Sequence, residues 1–160
     1  MSEELKLAAE VGKMLKQKKF TIAAAESCTG GLFTSLLTDI AGSSAYVKGS
    51  VISYTNAVKH DIVGVKAETL EKFGAVSEET AAEMSTGIRN LLSTDIGVGI
   101  TGLAGPDGDE GKAPGLVYIS ISDNKVNITN EFHFKGDRLA VKKAAAMAAL
   151  KLVLEISLEE

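Results

Sequence analysis

The residues in this chain best equipped for chemistry lie in Ala25-Glu26-Ser27-Cys28-Thr29-Gly30-Gly31, where an apolar run stops at a hydroxyl, a thiol, a second hydroxyl and paired glycines. The stretch reads as strand, tight turn and helix start. A helix start presents unpaired N–H groups and the positive end of the helix dipole, so it favours an anion or a developing negative charge. Ser27 and Cys28 are the nucleophile candidates, and a serine hydroxyl needs a base nearby. The chain has two histidines. His133 sits between Phe132 and Phe134 on a strand pattern, so it points to the opposite, solvent side. His60 lies on a short helical stretch with no evident orienting carboxylate, which disfavours a Ser-His-Asp triad. Lys59 is the stronger base candidate. With Asn56 as helix cap it falls in the first turn, where the dipole and partial burial both lower a lysine pKa. The competing reading is an ordinary surface lysine. Tyr54 is either a proton relay between Lys59 and Ser27 or a plain core aromatic.

These residues have to be positioned by strands and helices that the hydrophobic pattern outlines. Glu3 to Lys18 places Leu5, Ala8, Val11 and Leu15 on one helical face behind a Ser2 cap. Phe20 to Ala25 is too short for a core helix and reads as a buried strand. A helix follows from Gly31 to Ile40, with Gly42 as its stop. Tyr46 to Tyr54 reads as a strand, Ala57 to Val63 as a helix capped by Asn56, and Ala67 to Phe73 as another helix. Ser77 caps a longer helix carrying Ala81, Met84, Ile88 and Leu91, and Asp95 to Ile100 is a further apolar strand. Leu116 to Ile121 and Val126 to Phe134 alternate apolar residues about Asp123-Asn124, the mark of a hairpin with one buried face. Asp137 caps a last helix from Arg138 to about Ile156.

Helix-separated strands joined to a hairpin predict a three-layer α/β/α single domain, residues 1–160, with a mixed parallel and antiparallel sheet. Ligands gather at strand exits in such sheets. Three exits stand out: Ser27 to Gly31, Tyr54-Thr55-Asn56 with Lys59, and Thr101-Gly102-Leu103-Ala104-Gly105-Pro106. The glycines permit close backbone approach to a ligand and equally permit ligand-free turns. Neither segment is a Walker loop, a dinucleotide fingerprint or a nucleophile elbow.

A chain of 160 residues with 45% hydrophobic and 24% charged residues buries a substantial core. Its net charge of −4 argues against nucleic acid or an acidic membrane as partner. One cysteine excludes an internal disulfide and a cysteine-rich zinc site and suits a reducing compartment. The polar N-terminus and the lack of a long apolar run give the expectation of a soluble, cytoplasmic protein. Asp107, Asp109 and Glu110 read as a solvated acidic loop, so neither a metal nor another cofactor is expected. Alanine-rich helices pack closely, and a homo-oligomer is expected on that ground.

Five ordered motifs carry a resemblance: Ala25 to Gly31, Tyr54-Thr55-Asn56-Ala57-Val58-Lys59, Gly74-Ala75-Val76-Ser77-Glu78-Glu79, Thr101 to Pro106, and Gly136-Asp137-Arg138. In this order they resemble the C-terminal domain family of the competence/damage-inducible protein CinA, over nearly the whole chain from Thr21 onward and in its stand-alone form. The resemblance implies amide hydrolysis, in which nicotinamide mononucleotide and water give nicotinic acid mononucleotide and ammonia. It makes Ser27 the nucleophile, Lys59 the base and Tyr54 an aid to proton transfer. Thr101 and the N–H groups of Cys28, Thr29, Gly30 and Gly31 are then candidates to hold the oxyanion. Asn56, Gly102, Gly105 and Arg138 complete the substrate-binding set, with Arg138 and the glycine-rich exits facing the phosphate. The chain departs from the family after Gly105-Pro106, where an acidic loop replaces a glycine-rich one and the proline shifts to Ala113-Pro114-Gly115. The alternatives are a non-catalytic nucleotide-binding or interaction module, and a mechanism in which Cys28 is the nucleophile. Glu26 either orients the turn or pairs with a cation.

Overall fold

The computed structural model describes residues 1–159, with side chains through Ser157. Helix α1 (Glu3–Lys18) starts where Ser2 accepts a hydrogen bond from the Leu5 N–H at 3.3 Å. Strand β1 (Ile22–Glu26) is buried throughout, because it runs through the middle of the sheet with a neighbour on each side. Helix α2 (Leu32–Thr38) follows and leads to β2 (Val47–Ile52); α3 (Asn56–Asp61), α4 (Ala67–Phe73) and α5 (Glu78–Leu92) then cross to β3 (Ile96–Gly102). Strands β4 (Leu116–Ser122) and β5 (Asn127–His133) form the hairpin, and α6 (Arg138–Glu159) closes the fold.

The strand order is β2-β1-β3-β4-β5, parallel across β2, β1 and β3 and antiparallel across β3, β4 and β5. The chain leaves β1 toward β2 on one side and returns to β3 on the other. The C-terminal end of β1 is therefore a topological switch point, with the ends of β2 and β3 opening on the same edge. One face of the sheet packs under α1, α2 and α6, with Val11, Leu15, Phe33, Val98, Ile119, Ala145 and Leu150 at its heart. The other packs under α5, where Ala23, Ala25, Met84 and Ile88 meet Val63 and Val65. Small residues set that second spacing. A Cβ on Gly97 would lie 2.1 Å from the Ser85 carbonyl oxygen and one on Gly99 2.5 Å from that of Ala81, so α5 lies directly on β3. Among the described residues no helix is long and apolar enough to cross a membrane.

The three-layer mixed-sheet expectation agrees with this architecture, and several details differ. Thr55, not Asn56, caps α3: its extended backbone (φ −100°, ψ 161°) lets the hydroxyl accept from the Val58 N–H at 3.3 Å. Helix α2 ends at Thr38, and Gly42 instead opens a short 3-10 turn, Ser43–Ala45. The hairpin does not have a single buried face. Strand β4 is covered on both sides, since Ser120 and Ser122 are as buried as Val117 and Ile119. Strand β5 is the sheet edge, and Ile128 stays 39% exposed. A polar seam ties these elements together: Ser85 and Ser120 hydroxyls lie 2.8 Å apart, and Asn127 donates to the Ala82 carbonyl at 3.0 Å.

Candidate active site

Ser27 follows the last residue of β1, and its N–H donates to the Ile100 carbonyl of β3 at 2.9 Å, which continues the sheet past the strand end. The side chain is 7% exposed at the floor of a cleft of about 310 Å³. Lys59 reaches the same floor from the second turn of α3 and is 1% exposed. Its Nζ donates to the Ser53 carbonyl at 2.8 Å and the Tyr54 carbonyl at 3.3 Å, and stands 3.1 Å from Ser27 Oγ. All these partners are neutral. Burial therefore pulls the Lys59 pKa from 10.5 down to about 8, with the negative charge of Glu110 offsetting part of the effect.

The geometry fixes the roles around Nζ. A carbonyl oxygen can only accept, so two of the three directions around the nitrogen must carry N–H bonds. The remaining direction faces Ser27. In the ammonium form it donates to Oγ; in the neutral amine it is a lone pair that accepts the serine proton. Loss of one proton thus turns the 3.1 Å contact from a lysine donor into a lysine base.

Glu26 has a firm place that sequence left open. It is fully buried, and its carboxylate accepts from Thr29 Oγ1 at 2.7 Å, the Phe33 and Thr34 N–H groups at 3.0 Å each, and Thr34 Oγ1 at 2.7 Å. The anion favoured at the start of α2 is thus the protein's own. Gly30 and Gly31 take positive φ (60° and 104°) in the turn that folds Glu26 back over that helix end. Thr29, Gly30 and Gly31 are not among the residues lining the cleft, whereas Ser27, Cys28, Tyr54, Asn56, Lys59, Thr101, Gly102, Gly105 and Arg138 are.

Several side chains in the cleft have duties other than those expected. The Thr101 hydroxyl donates to the Ala75 carbonyl at 2.7 Å, so its one proton is committed to a wall of the cleft. Tyr54 is 57% exposed, and its hydroxyl accepts from Arg138 Nη2 at 3.1 Å; it meets Lys59 through its carbonyl. Arg138 also donates through Nη1 to the Gly105 carbonyl at 2.6 Å, so it bridges the exits of β2 and β3 at the cleft mouth. The Cys28 thiol is pushed up to about 12 by burial and stays protonated. His60 Nδ1 lies 2.7 Å from the Val65 carbonyl, and His133 pairs with Glu131 at 2.6 Å on the exposed edge strand.

The acidic loop after β3 is part of the cleft wall, with Asp107, Asp109 and Glu110 all lining it. Glu110 accepts from the Ala75 and Val76 N–H groups at 2.9 and 3.1 Å, while Lys112 donates to the Phe73 carbonyl at 3.2 Å and to the Val76 carbonyl. These bonds strap the loop onto the segment before α5. The main-chain N–H groups and Lys112 hold the Glu110 carboxyl below the usual carboxylate range, against the opposing effect of burial. A solvated-loop reading misses this wall, because its anchors lie 34 and 35 positions away in the chain.

The fold and the cleft together define an open α/β domain with a buried serine–lysine pair at the switch point of its sheet. The chain belongs to the CinA C-terminal domain family, whose model matches residues 4–157. It is 46% identical over 154 residues to a competence-damage inducible protein of Bacillus subtilis, covering 96% of this chain and 37% of that protein. A CinA-like protein of Endomicrobium trichonymphae is 45% identical over 148 residues, 92% of this chain and 35% of the relative. The chain thus spans a little over a third of the length of these relatives. Among solved structures, a CinA superfamily protein of Klebsiella pneumoniae superposes with a TM-score of 0.96 at 32% identity, over 99% of this chain and all of that one.

Proposed function

We propose that this chain hydrolyses the carboxamide of nicotinamide mononucleotide to nicotinic acid mononucleotide and ammonia. The observation that carries the reading is the Ser27–Lys59 pair, a hydroxyl 3.1 Å from a buried amine whose other two directions are fixed as donors. The family resemblance supplies the substrate. Neutral Lys59 takes the Ser27 proton as Oγ attacks the carboxamide carbon, giving a tetrahedral oxyanion. The main-chain N–H of Cys28, next to the nucleophile at the cleft, is the candidate donor for that oxyanion. Lysine then passes its proton to the amide nitrogen, and the C–N bond breaks to release ammonia. Water attacks the resulting acyl-serine with the same lysine as base, freeing the carboxylate and restoring Ser27.

A cleft of about 310 Å³ lies at the lower end of ligand pockets, which run from about 300 to 1,000 Å³, and suits a nicotinamide ring with its ribose. The test is ammonia release from the mononucleotide. Ser27→Ala is expected to reduce it by about a thousandfold or more with the fold intact by circular dichroism. Full activity in that variant would sink the mechanism, and micromolar binding without turnover in the wild type would favour a non-catalytic nucleotide-binding module.

A further inference from the structure

We propose that the pocket beyond Arg138, between the β3–β4 loop and the start of α6, seats the substrate phosphate, with Lys135 as its second cation; this rests on reading the cleft as a mononucleotide site. The pocket holds about 670 Å³ and shares Ala104, Gly105 and Arg138 with the cleft. Its remaining walls include Pro106, Pro114, Phe134 and Lys135. The two cavities are thus neighbours across these three residues.

Electrostatics gives a bound mononucleotide one direction. Its carboxamide must face Ser27 and Lys59. The far wall of the cleft carries Asp107, Asp109 and Glu110, which repel a phosphate and favour the positively charged pyridinium ring. The start of α2, the other natural anion seat near Ser27, is filled by Glu26. The phosphate is left with the side of the mouth where Arg138 stands.

The groups there are ready for it. Arg138 uses two N–H bonds on neutral oxygens, those of Gly105 and Tyr54. Lys135 makes no hydrogen bond or ion pair among the described residues, and it follows a fixed point: the Phe134 N–H donates to the Gly115 carbonyl at 2.9 Å, and the Phe134 ring stacks on Phe132 at 5.2 Å. The one carboxylate in this wall, Asp137, caps α6 through the Ala140 N–H at 2.9 Å, and against it Lys135 and Arg138 leave the wall one positive charge in excess. A planar fork and a flexible point charge on one cavity are a phosphate-binding set.

The experiment compares the full chain with Lys135→Ala in two measurements. In the first, kcat/KM for ammonia release is taken for nicotinamide mononucleotide and for its riboside, which lacks the phosphate. In the second, binding of ribose 5-phosphate is measured by calorimetry. Lys135→Ala should narrow the mononucleotide-to-riboside ratio about tenfold and weaken ribose 5-phosphate about tenfold. Lys125→Ala, which removes the same charge at the other end of the hairpin, should move both by less than about twofold. Equal effects of the two variants, or none from Lys135→Ala, would overturn the proposal. If neither substrate releases ammonia while ribose 5-phosphate binding still depends on Lys135, the pocket stands and the deamidase reading falls. If both substrates react with no dependence on Lys135, the reverse holds.

Discussion

Two buried polar clusters lie back to back at the end of β1, and they differ in one respect. Glu26 is met by four donors, two from hydroxyls and two from the first turns of α2. Lys59 is met by two carbonyls and a hydroxyl, none of them charged. In the first cluster every donor points at an acceptor that wants it, so the site is a joint between strand and helix. In the second, a cation sits without a counter-ion beside a group that can either accept or donate. Burial of an uncompensated ammonium lowers its pKa into the working range of a base, whereas a carboxylate saturated with donors has no lone pair left over for chemistry. Chemistry goes with the incomplete cluster.

Changing each cluster should therefore damage a different property. Lys59→Met is expected to cost the most, about a thousandfold or more in ammonia release, with little loss of thermal stability because a buried charge is removed. The wild-type rate should climb about tenfold per pH unit and level off near pH 8, because the catalytic form is the neutral amine and its pKa is about 8 instead of 10.5. A profile that keeps rising toward pH 10 would show that burial does not lower the Lys59 pKa.

Glu26→Ala should act on folding instead. It orphans the Phe33 and Thr34 N–H groups at a helix start, for a loss of about 3–5 kcal/mol and on the order of 10 °C in Tm. An unchanged melting temperature would show that the joint is not needed. Cys28→Ala, beside the nucleophile but with a protonated thiol, should cost about 1 kcal/mol of stability and leave kcat within a few fold. Tyr54→Phe should do least, within about threefold in kcat, because the lost hydroxyl contacts Arg138. A drop of a hundredfold would restore the relay role.

Much of the scaffold was legible because its signals are local. The Ser2, Ser77 and Asp137 caps each act on a residue three positions ahead, and the bounds of α1 follow from periodicity and the end of α4 from its Gly74 stop. The Asn56 cap failed because Thr55, one residue earlier, offers the same chemistry in a better backbone conformation, and single-sequence patterns do not rank such neighbours. The hairpin was found but its burial was not. Alternation reports that a strand has two faces, while the position of β4 under α5 and of β5 at the edge depends on sheet order.

The candidate site divides along the same line. By itself, the sequence determined which residue types stand at the strand exits, that Ser27 has no histidine partner of the usual kind, and that Lys59 lies on a short helix after β2. Only the tertiary structure decided that Lys59 crosses 32 positions to meet Ser27, that Glu26 fills the helix end expected to greet a ligand, and that the acidic loop becomes a wall. The physical reason is that protonation and anion binding depend on what surrounds a group in space. A neutral carbonyl from Ser53 or a carboxylate from Glu110 alters that balance without leaving any mark near the residue it acts on.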